Sequence, residues 1–111
     1  MQDQLQIITK VKKTIAYITK TLENYPNKEY ILRNSIEDNF YELLKNIYKG
    51  NVHKNVFYMK EAIVNIRMVE YYTKQSLDKK ILSYKKYENL GKYLLEINKM
   101  INSWIKYEIS K

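Results

Sequence analysis

Few residues in this chain could run a reaction. His53 is the single histidine among 111 residues and cysteine is absent. A His-rich or thiolate metal site and a Cys nucleophile are therefore excluded. A di-iron bundle needs Glu-x-x-His pairs on facing helices, which one histidine cannot supply. No serine has a histidine placed near it in sequence. A helical ribonuclease site would need Arg and His a few residues apart on one helix, whereas Arg33 and His53 fall far apart on different elements. Gly50 and Gly91 cannot together form a phosphate-cradling loop. The sequence thus predicts no enzyme, no cofactor and no metal, with His53 a solvated loop residue.

What remains is ionic and aromatic. Twenty Lys and Arg against twelve Asp and Glu give a net charge of +8, which suggests an anionic partner: nucleic acid, a membrane surface or an acidic protein. The cations are almost all lysine, with Arg33 and Arg67 the only arginines, and Ile, Asn and Tyr are also abundant. An AT-rich genome would produce that profile without selection for binding. One positional pattern stands out. Lys85, Lys92, Lys99 and Lys106 recur every seven residues, a row of about 31 Å at a helical rise of 1.5 Å per residue. Lys86 widens one end. Lys13 and Lys20 repeat the spacing near the N-terminus, with Lys10 and Lys12 beside them. Such lysines suit backbone phosphate without reading base sequence, and their binding would weaken steeply with salt. The competing reading is the solvated face of any soluble bundle, since Glu88 and Glu96 flank the row. Of twelve tyrosines, Tyr58, Tyr71, Tyr84, Tyr93 and Tyr107 fall at or outside the apolar seams. There they would stack on unpaired bases or line subunit contacts, with packing the ordinary alternative.

These side chains need long helices to hold them. In the first, spanning about 4–24, Ile8, Val11, Ile15, Ile18, Leu22 and Tyr25 alternate spacings of three and four. Tyr25-Pro26 ends it, because the residue before proline leaves helical geometry. The second, about 28–49, buries Leu32, Ile36, Phe40, Leu43 and Ile47, and Gly50 is its expected stop. Asn55 is the expected N-cap of the third, about 56–75 with fraying toward Lys79. The fourth, about 84–108, follows Ser83 as N-cap and carries Tyr87, Leu90, Leu94, Ile97, Ile101 and Trp104. Gly91 inside it is expected to let a neighbouring helix approach closely. Short connections and heptad spacing predict an all-α, antiparallel up-down-up-down four-helix bundle as a single domain over 1–111.

The third helix is too apolar for one buried face of about 100°. Phe57, Val64, Met68, Tyr71 and Tyr72 are accordingly expected at an oligomer interface. Only Gly50, Gly91 and Pro26 are available for turns, which argues against a β-rich fold. No apolar run reaches the roughly 20 residues of a bilayer span, and Met1-Gln2-Asp3-Gln4-Leu5-Gln6 lacks the order of a signal peptide. Together with the missing cysteines this predicts a cytoplasmic protein without a membrane partner.

A family likeness sharpens the reading. The stretch Ile81-Leu82-Ser83-Tyr84-Lys85-Lys86-Tyr87-Glu88-Asn89-Leu90-Gly91-Lys92, then Glu96 through Lys106 with its Trp104-Ile105-Lys106 close, resembles the end of the accessory variability determinant (Avd) proteins. The Tyr25-Pro26 turn before Ile31-Leu32-Arg33-Asn34-Ser35-Ile36 fits as well. The resemblance implies a pentameric assembly of four-helix bundles with a basic surface. It further implies binding to the reverse transcriptase of a diversity-generating retroelement and to RNA or cDNA, in support of mutagenic retrohoming. A sister group, the S23 proteins encoded in ribosomal RNA intervening sequences, shares the architecture. It usually carries an Ile-Pro-Ser-Asn-Ile-Ala-Glu-Gly motif in helix 2, where this chain reads Ile36-Glu37-Asp38-Asn39-Phe40-Tyr41-Glu42. The scarcity of arginine departs from the Avd pattern.

Three functions follow, in order of preference. The first is an accessory subunit holding a reverse transcriptase and nucleic acid. The second is a structural oligomer without a nucleic-acid role. The third is a monomeric adaptor whose apolar third helix receives a partner helix.

Overall fold

A computed structural model describes residues 4–111, with side chains from Gln6 onward. Met1 to Asp3, part of the segment read above for a signal peptide and of the single-domain span, lie outside the described residues. The described chain forms α1 (Gln4–Leu22), one 3-10 turn (Asn27–Glu29), α2 (Tyr30–His53), α3 (Val56–Asp78) and α4 (Tyr84–Ile109). The four helices form a bundle 47 Å long and 22 by 19 Å across. Each packs against two neighbours, α1 with α2 and α4, α3 with α2 and α4. No Cα of the diagonal pairs comes within 8 Å of the opposite helix.

The expected seams form the core. Ile8, Val11, Ile15, Ile18 and Leu22 of α1 are buried, as are Leu32, Ile36, Phe40, Leu43 and Ile47 of α2, and Leu90, Leu94, Ile97, Ile101 and Trp104 of α4. Each large apolar side chain so buried contributes roughly 1.5–3 kcal/mol relative to exposure. Tyr87, placed on the same seam, is only half-buried at its edge. Tyr25 is buried beyond the end of α1. Burial pushes its phenol above the ordinary value of 10, offset in part by the Ser76 hydroxyl nearby. Thr14, Thr73 and Ser76 are also buried, and each hydroxyl donates to the carbonyl four residues earlier, at 2.8, 2.8 and 2.9 Å. Bonds of that kind allow a polar side chain to enter the core without an unsatisfied group.

Two expected caps are present. The Asn55 side chain accepts from the Phe57 amide at 2.9 Å, and the Ser83 hydroxyl accepts from the Lys86 amide at 3.2 Å. The first helix ends at Leu22 instead of near Asn24, because its last turn tightens: the Asn24 and Tyr25 amides donate three residues back, to Thr21 and Leu22.

Both glycine expectations are corrected. Gly50 does not stop α2, which continues to His53 and turns at Lys54, a non-glycine residue with φ 53°. His53 is therefore the last helical residue rather than part of a loop. Lys80 makes the corresponding left-handed turn after α3, at φ 64°. The Ile81 and Leu82 amides close that turn on the Ser76 carbonyl at 3.0 and 3.3 Å. Gly91 is not a close-approach position, since a Cβ there would meet nothing within 4 Å. The close approach is at Gly50, where a Cβ would stand 2.9 Å from Trp104 Cη2 and 3.2 Å from Met59 Cγ. The Trp104 ring crosses the diagonal of the bundle, and it fits because α2 has no side chain at Gly50.

An interior amide chain was not expected. Asn46 Nδ2 donates to Asn65 Oδ1 at 2.8 Å, Asn65 Nδ2 to Asn39 Oδ1 at 3.1 Å, and Asn39 Nδ2 to the Ser35 carbonyl at 2.9 Å. Asn46 and Asn65 are buried, so any sliding of α3 along α2 would strand amide groups away from water. Gly50 near Met59, and Asn46 and Asn39 at Asn65, mark the path along which α2 and α3 meet, and just beyond it Lys79, after α3, lies 3.1 Å from Glu29, before α2.

Candidate nucleic-acid and partner surfaces

The α4 lysines lie where the heptad places them. Lys85, Lys92, Lys99 and Lys106 are exposed opposite the seam of Leu90, Leu94, Ile97 and Ile101, and Lys86, also exposed, lies at the edge of that seam, one turn before Leu90. A straight helix drifts about 20° per heptad, so the row winds slightly around the bundle. None of these five makes an ion pair among the described residues; the pairs there engage Lys10, Arg67, Lys74, Lys79 and Lys111.

On α1 the expected group divides. Lys13 and Lys20 are exposed. Lys10 is half-buried, 2.9 Å from Glu96 of α4 and 5.0 Å from the centre of the Tyr93 ring. Tyr93 in turn meets Tyr17 edge to face at 5.4 Å. Lys10 thus joins α1 to α4 and is less available to an outside anion than the others. Lys10, Lys13, Glu96 and Met100 line a shallow groove of about 360 Å³ between these helices.

The apolar surplus of α3 separates into two sets. Met59, Ala62, Ile66 and Val69 are buried, and Val56, Ile63 and Tyr72 pack partly against the core. Phe57, Val64, Met68 and Tyr71 remain 37–59% exposed in one line along the helix. Of the five expected interface residues, Tyr72 therefore belongs mostly to the core, touching Tyr71 edge to face at 5.6 Å. Charges beside the line neutralise each other: Arg67 meets Glu70 at 2.8 Å and Lys74 meets Asp78 at 2.7 Å.

A third surface escaped the sequence reading. Tyr41, Tyr48 and Val52 stand 40–73% exposed along α2. Together with Leu44, Lys45 and Lys49 they line an open groove of about 420 Å³. On one side Lys12 of α1 lies 5.9 Å from the Tyr48 ring centre. On the other, Lys49 lies 5.4 Å from the ring of Tyr58 on α3, which also contacts the His53 ring at 5.4 Å. The signal was available: Tyr41 and Tyr48 are seven residues apart and off the buried stripe. Among the described residues no group of three or more His, Asp and Glu comes together as a metal site would require. No helix there is long and apolar enough to cross a membrane.

The described residues thus form a helical bundle with a lysine row, an apolar row and an aromatic groove on its outer faces. A family model described as bAvd-like matches residues 5–108. The chain belongs to that Avd-like family, a family of accessory proteins. No curated protein matches it. The Trp104-Ile105-Lys106 close that carried the likeness resolves into two buried packing residues and one exposed lysine.

Proposed function

We propose that this chain is an accessory subunit of a diversity-generating retroelement, working as a homo-oligomer, a pentamer, that binds the reverse transcriptase and holds RNA or cDNA by its phosphates in support of mutagenic retrohoming. The family match over residues 5–108 is the observation that carries the reading. Lys85, Lys86, Lys92, Lys99 and Lys106 supply the phosphate contacts on α4, with Lys13 and Lys20 on α1 and Lys10 at the seam between the two helices. In an up-down-up-down bundle these faces leave α3 free to meet a second copy through Phe57, Val64, Met68 and Tyr71. Lysine is a point charge without the bidentate fork of arginine, which suits holding a backbone more than reading bases.

Two measurements test the proposal. The chain is co-expressed with the reverse transcriptase encoded beside it, and co-purification of the two is expected; the absence of such a neighbouring gene would favour the structural-oligomer reading. Changing Lys85, Lys92, Lys99 and Lys106 together to Glu is expected to weaken RNA binding at low salt by more than tenfold, at roughly one counterion per lost contact. Unchanged binding would remove the row from the proposal.

A further inference from the structure

The groove on α2 combines features that the lysine row lacks. Two exposed tyrosine rings, Tyr41 and Tyr48, stand about 10 Å apart along the helix at 1.5 Å per residue. That is too far to sandwich one base, so each ring is placed to take its own. Lysines flank the rings closely: Lys12 lies 5.9 Å from the Tyr48 ring centre, and Lys45 and Lys49 line the groove itself.

The charge is one-sided in the groove and around Tyr48, while Glu37, Asp38 and Glu42 lie within one helical turn of Tyr41. No carboxylate lines the groove. The sequence from Leu43 to Lys60 contains no Asp or Glu, and neither does α1 from Gln4 to Leu22. Glu42, next to Tyr41, forms no ion pair with Lys45 or Lys49. A second copy seated face to face here would set lysines against lysines. The apolar row of α3 has charges of both signs beside it, Lys60 with Glu61 near Phe57 and Val64 and the pairs Arg67–Glu70 and Lys74–Asp78 further on, and so lacks that conflict. A flat aromatic ligand with a negative backbone satisfies both the rings and the cations.

We infer that the outer face of α2 binds unpaired nucleotides of a single strand, with Tyr41 and Tyr48 stacking on bases and Lys12, Lys45 and Lys49 holding the flanking phosphates. Every base has a π-face, so such a site tolerates sequence but distinguishes single strands from duplex, whose bases are already stacked. The inference shares with the proposed function the premise of a nucleic-acid partner, but it concerns a different face and different residues.

The test measures equilibrium binding of labelled oligouridylate, oligothymidylate and a mixed-sequence duplex at low salt by fluorescence anisotropy. Both tyrosines are exposed, so Tyr41→Ala with Tyr48→Ala should keep the wild-type circular dichroism and Tm. The double variant is expected to lose roughly tenfold or more for each single strand, since stacking contributes on that scale per base. Its duplex binding should be unchanged, and Tyr41→Phe with Tyr48→Phe should retain wild-type affinity. Similar losses for RNA and DNA would support stacking that ignores the sugar, and a loss for one alone would assign the groove to that strand type.

The inference is overturned if the double alanine variant binds both single strands as wild type does; if the α4 Lys→Glu variant loses binding in the same experiment, the lysine row survives while the groove falls. Failure of the wild-type protein to bind either single strand sinks both. A drop in mass of the alanine variant by light scattering would make the groove an interface between copies instead. Polyglutamate binding as tightly as oligouridylate, with equal sensitivity to the tyrosines, would make it an acidic-peptide site.

Discussion

Tyr41, Tyr48 and Val52 on α2 and Phe57, Val64, Met68 and Tyr71 on α3 are exposed rows of similar spacing on adjacent helices. Their surroundings differ. Around Tyr48 and Val52 the α2 row has Lys12, Lys45 and Lys49 without carboxylates, whereas both signs border the α3 row, with Arg67 meeting Glu70 and Lys74 meeting Asp78. An apolar row in a balanced field suits another protein surface, because nothing charged must be desolvated without a partner when it closes. Aromatic rings in a one-sided field suit an anion with a face to stack. Exposed hydrophobicity alone would treat the two rows as equivalent; the charges beside them do not.

The largest expected effect breaks the α3 side of this contrast. Val64→Glu with Met68→Glu should reduce the assembly to the 13.5 kDa monomer in light scattering, while the α2 alanine variant keeps its mass. A wild-type protein that is monomeric at tens of micromolar would remove the α3 row as an interface.

Next in size is the amide chain that fixes the two helices relative to each other. Asn65→Leu leaves Asn46 Nδ2 and Asn39 Oδ1 without their partners, at about 1–3 kcal/mol for each buried group left unsatisfied. Urea unfolding measures this, and replacing Asn39 and Asn46 by Leu as well should recover much of the loss. A neutral Asn65→Leu would show that the chain does not set the register.

A smaller effect lies beneath the α2 groove. Gly50→Ala forces a methyl against Trp104, with overpacking of about 1–3 kcal/mol against a helix-propensity gain of about 1 kcal/mol. A net loss of stability with a shifted Trp104 emission is expected. Gly91→Ala, in open space, should gain up to about 1 kcal/mol. Equal responses at the two glycines would contradict the crossing of the bundle by Trp104.

Smallest is the turn between the rows. Lys54→Gly relieves a left-handed lysine and should add about 1 kcal/mol or less. Thermal unfolding followed by circular dichroism should show the rise in Tm. An unchanged Tm would mean that the turn carries no strain.

Much of this architecture was legible in one dimension. Spacings of three and four placed the seams from Ile8 to Trp104, and Asn55 and Ser83 marked helix starts, because capping and amphipathicity are set within a few residues of chain. The outward line of Lys85, Lys92, Lys99 and Lys106 follows from the same arithmetic. The α2 groove was less legible. Tyr41 and Tyr48 show the spacing, but the cations that give them meaning include Lys12 from another helix, and Tyr58 completes the margin from a third.

The sequence by itself determined where the helices run, which stripe of each is apolar and which lysines face outward, since these depend on local hydrogen bonding and a 3.6-residue period. Tertiary structure decided what each stripe meets. It turned Gly50 from a stop into the space for Trp104, took Lys10 into a contact with Glu96 and Tyr93, and drew Tyr72 toward the core. It also paired Asn65 of α3 with two amides of α2. Each depends on distances between helices, which no periodicity within one helix specifies.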